Sequence, residues 1–176
     1  MRMIDKIRNR KAKICVVGLG YVGLPTAVCF AERGFEVIGC DKKDGVVNSI
    51  NSGRSHLDDL RLDERIKRVV KDQKLRATTN TTKAVSESDI IIVVVPTPLT
   101  KDKRPDMSFI ESASEEIAKG LKPNSLVVIE SSVYPCATEE LILPLLEKSG
   151  LTAGKDFDLV RSPERYNPGD PEHTTE

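Results

Sequence analysis

Short, continuously apolar runs that alternate with helix-like segments constrain this chain more than any other feature of its sequence. The longest run, residues 90–95, is too short for a helix and consists of isoleucine and valine. Runs of this length and composition predict buried strands, here at residues 14–17, 35–40, 75–79, 90–95, 126–130 and 159–160. A parallel sheet needs such strands because helices cover both of its faces. We therefore predict an α/β fold, doubly wound around a mainly parallel sheet.

The segments between these runs carry helical spacing and helix boundary signals. Gly34 is a C-terminal stop, and Pro144 predicts a kink or an early end within its segment. A leading segment places Met3, Ile4 and Ile7 on one helical face. The predicted helices cover residues 1–10, 21–33, 58–72, a short stretch before Ser88, 108–120 and 138–148. Three prolines make residues 96–105 a loop.

A glycine turn follows the first predicted strand directly and opens the first long helix. Gly18, Gly20 and Gly23 form the pattern G-x-G-x-x-G, whose context of strand, turn and helix is that of a dinucleotide-binding unit. Gly18 allows the tight turn, Gly20 lets a pyrophosphate approach the backbone, and Gly23 lets helix and strand pack closely. The helix start at Tyr21 and Val22 offers N–H groups to the phosphates. A packing turn without a nucleotide is the alternative interpretation.

Asp41 ends the second predicted strand, at the position where a carboxylate accepts hydrogen bonds from an adenosine ribose. Its charge repels the extra phosphate of NADP, although Lys42 and Lys43 beside it could partly offset this. The sequence therefore favours NAD as the cofactor.

Charge and apolar content exclude several classes of partner. The 27 basic residues equal the 27 acidic ones, so the chain has no broad positive field for nucleic acid or an anionic membrane. No apolar stretch approaches the length of a membrane span, so we expect a cytoplasmic protein. The cysteines fit no metal spacing. We expect Cys15, Cys29 and Cys40 to be buried and expect no metal site.

Five ordered motifs resemble the UDP-glucose/GDP-mannose dehydrogenase family. They are Gly-Tyr-Val-Gly-Leu-Pro at 20–25, Leu-Arg-Ala-Thr-Thr at 75–79, Val-Pro-Thr-Pro at 95–98, Glu-Ser-Ser-Val-Tyr-Pro at 130–135 and Ser-Pro-Glu-Arg at 162–165. The resemblance implies a Rossmann-type NAD-binding domain over residues 13–176, preceded by an extension over residues 1–12. Such enzymes oxidise the C6 alcohol of a UDP-sugar substrate to a carboxylate with two NAD, and the full-length proteins are commonly homodimers.

The resemblance also implies what lies outside these residues. The family's central helix, its C-terminal nucleotide-sugar domain and its nucleophilic cysteine follow the NAD-binding domain. We therefore expect the present chain to bind the dinucleotide without turnover. A stand-alone NAD-sensing module without catalysis is the alternative.

Two candidate catalytic residues follow from the resemblance. Ser132 falls where relatives carry a threonine that helps to hold a catalytic water, and Glu164 is the acid of the Pro-Glu motif linked to the second oxidation. Their structural alternatives are a strand-end cap for Ser132 and a solvated charge for Glu164. Pro96 and Thr97, after the fourth strand, are candidates to line the cofactor pocket, as is Ser132.

The motif around Glu164 bears on the substrate. Pro168 stands where UDP-glucose dehydrogenases tend to carry a second glutamate, and the segment is similar to the branch that acts on UDP-N-acetylhexosamines. We expect UDP-N-acetylglucosamine or an epimer, with UDP-glucose or GDP-mannose as alternatives.

Three further features have an ordinary interpretation and a functional one. Cys136 is expected to be inert, with a reactive thiol as the alternative. His56 is expected to be a surface loop residue instead of a general base. The charged residues 101–104 are expected to be solvated instead of facing a phosphate.

Overall fold

A parallel sheet forms the centre of the structure, a computed structural model that describes residues 2–58 and 60–163. Its six strands lie in the order β3-β2-β1-β4-β5-β6, and every neighbouring pair is parallel. The strands are β1 (Lys13–Val17), β2 (Glu36–Cys40), β3 (Leu75–Thr78), β4 (Ile90–Val93), β5 (Leu126–Ile129) and β6 (Asp158–Arg161). The prediction of a parallel α/β sheet is confirmed.

Helices cover both faces of this sheet. They are α1 (Met3–Arg8), α2 (Gly23–Glu32), α3 (Asp44–Asn51), α4 (Leu60–Lys71), α5 (Thr81–Glu87), α6 (Ser108–Gly120) and α7 (Leu143–Glu147). Alternate residues of β1 enter different cores: Ile14 and Val16 pack with α2, α3 and α4, whereas Cys15 and Val17 pack with α5, α6 and α7. The fold is therefore doubly wound. Among the described residues, none of the helices has both the length and the apolar character needed to span a bilayer.

The C-terminal end of α2 follows its sequence signal. Gly34 has a φ of 94°, which an L side chain rarely adopts. Its N–H donates to the Ala31 carbonyl, and the Phe35 N–H donates to the Phe30 carbonyl. This pair of bonds is the Schellman arrangement that closes a helix, so Gly34 acts as the predicted stop.

The fourth strand is shorter than predicted. Val94 still donates its N–H to the Val17 carbonyl, but the Val95 N–H donates to the side chain of Ser131 instead of a neighbouring strand. The last two residues of the predicted strand 90–95 therefore belong to the loop above the sheet. Hydropathy did not show this because the apolar run continues past the last ladder bond.

Three local expectations need correction. Met3 and Ile7 pack against the core, but Ile4 is 44% exposed, since a neighbouring position lies about 100° around the helix. Helix α3 was not predicted, although Val46, Val47 and Ile50 give it a buried face. Cys15 and Cys40 are buried as expected, whereas Cys29 is half-buried.

The segment 138–148 is interrupted where proline predicted an early end. A π-helical turn spans Thr138–Ile142, and α7 then begins with Pro144 at its start. Proline lacks the N–H that an interior helical position would donate, and it is tolerated in a first turn. The wider turn thus places Pro144 where no hydrogen bond is lost.

Candidate functional site

A cleft of about 770 Å³ opens at the carboxyl ends of the strands. Its walls come from the glycine turn after β1, the ends of β2, β4 and β5, and the first half of α6. Strands β1 and β4 are neighbours, and the chain leaves them toward opposite faces of the sheet. Open α/β sheets bind ligands at such a crevice, and the volume is within the range of small-molecule sites.

The glycine turn is fixed by sterics that exclude side chains. Gly18 has a φ of 96°, and a Cβ there would fall 2.2 Å from the Val94 carbonyl oxygen. A Cβ on Gly23 would fall 1.9 Å from the Gly18 carbonyl oxygen. Gly23 is buried and packs α2 against the turn, as the sequence predicted for the third glycine. Its contribution to the site is thus close packing behind the wall of the cleft.

Gly20 differs from its two partners because nothing in the folded chain requires its small size. A Cβ on Gly20 would meet no atom within 4 Å, and the residue lines the cleft. A residue without a side chain beside open space lets a ligand approach the backbone closely. The start of α2 follows at once, and the first N–H groups of a helix lack intrahelical partners.

Asp41 is tied to the glycine turn by main-chain bonds. Its Oδ2 accepts the Leu19 N–H at 3.2 Å and its Oδ1 accepts the Lys43 N–H at 3.0 Å. The Gly18 N–H donates to the Cys40 carbonyl at 2.8 Å. A carboxylate has about four lone-pair sites, so Asp41 keeps accepting capacity toward the cleft that it lines.

The opposite end of the cleft is built by the loops after β4 and β5. Pro96 and Thr97 line it from one loop, and Ser131 and Ser132 line it from the other. Ser132 is exposed, whereas Ser131 is buried. Glu164, the second candidate catalytic residue, lies outside the described residues.

The structure therefore brings most of the expected site residues to one cleft. Those that line it are Gly18, Gly20, Tyr21, Val22, Asp41, Pro96, Thr97 and Ser132. Tyr21 is 65% exposed at the mouth of the cleft.

Sequence reasoning missed several residues of the cleft wall. Phe109 and Ala113 reach it from α6, and Lys42 spans part of its rim by donating from Nζ to the Ser112 Oγ at 2.7 Å. The helical spacing of Phe109 and Ala113, four residues apart, places them on one face. Which face points at the cleft was not evident from the sequence.

His56 also lines the cleft, where it interacts electrostatically with Asp41 and Lys43. Burial lowers the pKa of His56 below its ordinary value; Asp41 opposes this shift and Lys43 adds to it. The ring is therefore mainly neutral at neutral pH. His56 is a loop residue, as expected, but it belongs to the wall of the cleft.

Cys136 is not among the residues that line this cleft. It is exposed and has a φ of 68°, two residues before the π-helical turn begins at Thr138. Within residues 2–58 and 60–163, no group of three or more His, Cys, Asp or Glu side chains is arranged to hold a metal ion.

Comparison with known proteins extends these observations. The family model described as "UDP-glucose/GDP-mannose dehydrogenase family, NAD binding domain" matches residues 12–175. The UDP-N-acetyl-D-mannosamine dehydrogenase of Pyrococcus horikoshii is 40% identical over 157 residues, which are 89% of this chain and 37% of that relative. The UDP-N-acetyl-D-glucosamine 6-dehydrogenase of Pseudomonas aeruginosa is 43% identical over 162 residues, or 92% and 37% of the two chains.

Solved structures similar to this chain also include nucleotide-sugar dehydrogenases. The structure of the P. horikoshii UDP-D-ManNAc dehydrogenase superposes with a TM-score of 0.84 at 40% identity, over 89% of this chain and 37% of that one. A ternary complex of GDP-mannose dehydrogenase from P. aeruginosa gives a TM-score of 0.84 at 34% identity, over 88% and 36%. The present chain thus spans a little over a third of the relatives that it matches.

Proposed function

Because this chain belongs to the UDP-glucose/GDP-mannose dehydrogenase family through its NAD-binding domain, we propose that it binds NAD in the cleft above β1 and β4. The observation that carries the proposal is the glycine turn. Gly18 and Gly23 have no room for a Cβ, whereas Gly20 faces open space in the cleft wall. The turn thus fits a dinucleotide diphosphate, which needs bare main chain and the start of a helix.

The strand order supports one direction for the cofactor. Asp41 follows β2, the glycine turn follows β1, and Thr97 and Ser132 follow β4 and β5. With the adenosine ribose at Asp41 and the diphosphate at the turn, the nicotinamide half extends toward Thr97 and Ser132. The neighbouring rim, with Ala113 and Phe109, offers apolar surface to the adenine.

The reaction follows from the chemistry of the cofactor and the residues beside it. When bound, the nicotinamide ring supplies an acceptor for hydride from an alcohol carbon. Ser132, exposed in the cleft, holds a water molecule or a substrate hydroxyl through its own hydroxyl. Glu164 belongs to this proposal as the carboxylate that orients or deprotonates water.

The proposed substrate of the longer enzyme is a UDP-N-acetylhexosamine, oxidised at C6 with two NAD. This class is supported by the motif around Glu164 and by two relatives about 40% identical, a UDP-N-acetyl-D-mannosamine dehydrogenase and a UDP-N-acetyl-D-glucosamine 6-dehydrogenase. Rates of NADH formation from UDP-N-acetylglucosamine, UDP-N-acetylmannosamine, UDP-glucose and GDP-mannose, measured on a protein that continues past residue 176, test the choice. A preference for UDP-glucose or GDP-mannose would contradict it.

We propose further that the 176 residues bind NAD without turnover. The resemblance places the family's nucleophilic cysteine beyond the NAD-binding domain, so these 176 residues alone are expected not to form the covalent intermediate. NADH production from any of these sugars by the chain alone would contradict this part of the proposal.

Titration calorimetry of Asp41→Asn tests the ribose contact. Hydrogen bonds to a charged group are worth about 1.5–3 kcal/mol, so we expect NAD affinity to fall at least about tenfold. The variant should also discriminate less against NADP, because the carboxylate that repels the additional phosphate is gone. Asp72→Asn, which removes an exposed carboxylate at the end of α4, is the matched control. Unchanged NAD affinity in Asp41→Asn would contradict the assignment.

A further inference from the structure

Ser131 lies at the end of β5 and joins two walls of the cleft. It is only 4% exposed. Its Oγ accepts the Val95 N–H at 2.9 Å, and its hydroxyl donates to the Val95 carbonyl oxygen, also at 2.9 Å. One side chain thus satisfies both main-chain polar groups of a single residue on the neighbouring loop.

Val95 is the first residue of that loop without a ladder bond to a neighbouring strand. The strand β4 ends at Val93, whose carbonyl accepts the N–H groups of Glu130 and Ser131. Val94 is still held by the Val17 carbonyl at 2.8 Å. At Val95, the Ser131 hydroxyl supplies the hydrogen bonds that a neighbouring strand supplies to β4.

The same stretch of main chain forms the back of the glycine turn. The Val94 carbonyl oxygen lies only 2.2 Å from the position that a Cβ on Gly18 would take. Val94 keeps its own bond to the Val17 carbonyl, so the loss of the Ser131 bonds would free Val95 and shift Pro96 and Thr97, while the contact with Gly18 is held. Both regions line the cleft.

We propose that Ser131 is a positioning residue of the NAD site, whose hydroxyl clamps Val95 and thereby holds the loop of Pro96 and Thr97 in place for the nicotinamide half of the cofactor. The inference rests on the proposed function. It assigns to Ser131 a role separate from that of Ser132, which faces the open cleft. The clamp acts on the β4 side alone, because Asp41 is anchored by the glycine turn and by its own loop.

The test compares Ser131→Ala, just after β5, with a control just before the same strand. Ser125 is also buried, but its Oγ has no hydrogen-bond partner among the described residues. Ser125→Ala thus removes a buried hydroxyl without breaking such a bond, whereas Ser131→Ala frees both polar groups of Val95. Each variant of the 176-residue chain is titrated with NAD and, separately, with AMP, which contains only the adenosine half with one phosphate.

We expect Ser131→Ala to bind NAD about tenfold more weakly, the effect of losing roughly one net hydrogen bond. AMP affinity should stay unchanged, Ser125→Ala should bind both ligands like the parent, and Ser131→Thr, which keeps the hydroxyl, should restore NAD binding. Equal weakening of NAD and AMP would indicate general loosening and would overturn the proposal. So would an unchanged NAD affinity in Ser131→Ala or a failure of Ser131→Thr to restore it.

Hydrogen exchange on the unmodified chain gives a second measurement that needs no variant. The Val95 amide should be protected, and exchange at the rate of an open loop would overturn the proposal even if Ser131→Ala failed to fold. Failure of the parent chain to bind NAD would instead contradict the proposed function. The two failures are therefore distinguishable.

Discussion

Gly18 and Gly23 depend on each other at the scale of single residues. The Gly18 carbonyl oxygen occupies the space that a Cβ on Gly23 would need, and the Val94 carbonyl occupies the corresponding space beside Gly18. The turn is therefore a stack of main-chain contacts. Gly20 is outside this stack, and the fold does not require its small size.

Gly23→Ala is expected to destabilise the folded chain. The added Cβ would lie 1.9 Å from backbone, and overpacking of this kind typically costs about 1–3 kcal/mol of unfolding free energy. Gly45→Ala is the matched control, because a Cβ at that position of α3 meets nothing within 4 Å and alanine favours a helix. Chemical denaturation measures both, and equal stability of the two variants would contradict the steric account.

The sequence predicted these glycine and aspartate positions because their spacing reflects main-chain requirements that few other residues meet. It singled out Ser132 through the family resemblance, but it gave no sign that the neighbouring Ser131 is the buried serine that bonds Val95. Two adjacent serines at a strand end are alike in sequence, and only the pleat decides which one is buried against Val95. His56 was missed in the same way, since a loop's direction is set by tertiary contacts.

At the scale of elements, α2 and α4 are joined by one carboxylate. Glu32 at the end of α2 accepts hydrogen bonds from Arg65 Nη2 at 2.7 Å and from Arg68, both on α4. The Arg65 guanidinium chiefly, with Arg68, holds the pKa of Glu32 below its ordinary value despite the opposing effect of burial.

Glu32→Gln should lower the unfolding free energy by about 1–3 kcal/mol, the cost of removing charge from a partly buried, hydrogen-bonded pair. Glu64→Gln, which changes an exposed side chain on α4, is the control and should be nearly neutral. Thermal unfolding of both variants in low salt measures the difference. A Glu32 variant as stable as the Glu64 variant would show that the bridge contributes nothing.

The elements that the sequence predicted are those with a simple period or a strong stop signal. Helix α3 was missed because Gly45 and four polar residues dilute its pattern, although Val46, Val47 and Ile50 have helical spacing. The end of β4 was misplaced because hydropathy does not record which bonds the backbone makes. Pro144 predicted only an interruption of the helix over residues 138–148. The structure shows how the chain accommodates this proline, with a π-helical turn before it and a new helix that starts beside it.

At the scale of the whole molecule, Asp89 holds the amino edge of the sheet together. Its carboxylate accepts the Lys6 Nζ from α1 at 2.6 Å and the Lys13 N–H from β1 at 3.0 Å. The Lys122 Nζ lies 3.8 Å away. Burial alone would raise the pKa of Asp89, but these three partners outweigh it and hold the pKa below its ordinary value.

Asp89→Asn is expected to lower stability at neutral pH by about 1.5–3 kcal/mol, the range for hydrogen bonds to a charged group. Because the folded-state pKa is depressed, this contribution is present above the ordinary carboxyl pKa of about 4 and is lost as the pH falls through the folded-state value. The difference between parent and variant should therefore shrink in acid. Urea unfolding across pH 2–7 (about the working range of carboxylate titration) measures this, with Asp72→Asn as control. A constant difference would contradict the assignment.

The cleft depends on the strand order of the whole sheet, since its walls include the carboxyl ends of four strands, β2, β1, β4 and β5. Titration calorimetry of the chain and of Gly20→Ala with NAD tests the central claim most directly. The account predicts saturable binding of one NAD per chain, with Gly20→Ala equally stable but at least about tenfold weaker in affinity because its Cβ occupies the approach of the diphosphate. No saturable binding by the parent, or equal affinity in the variant, would contradict it.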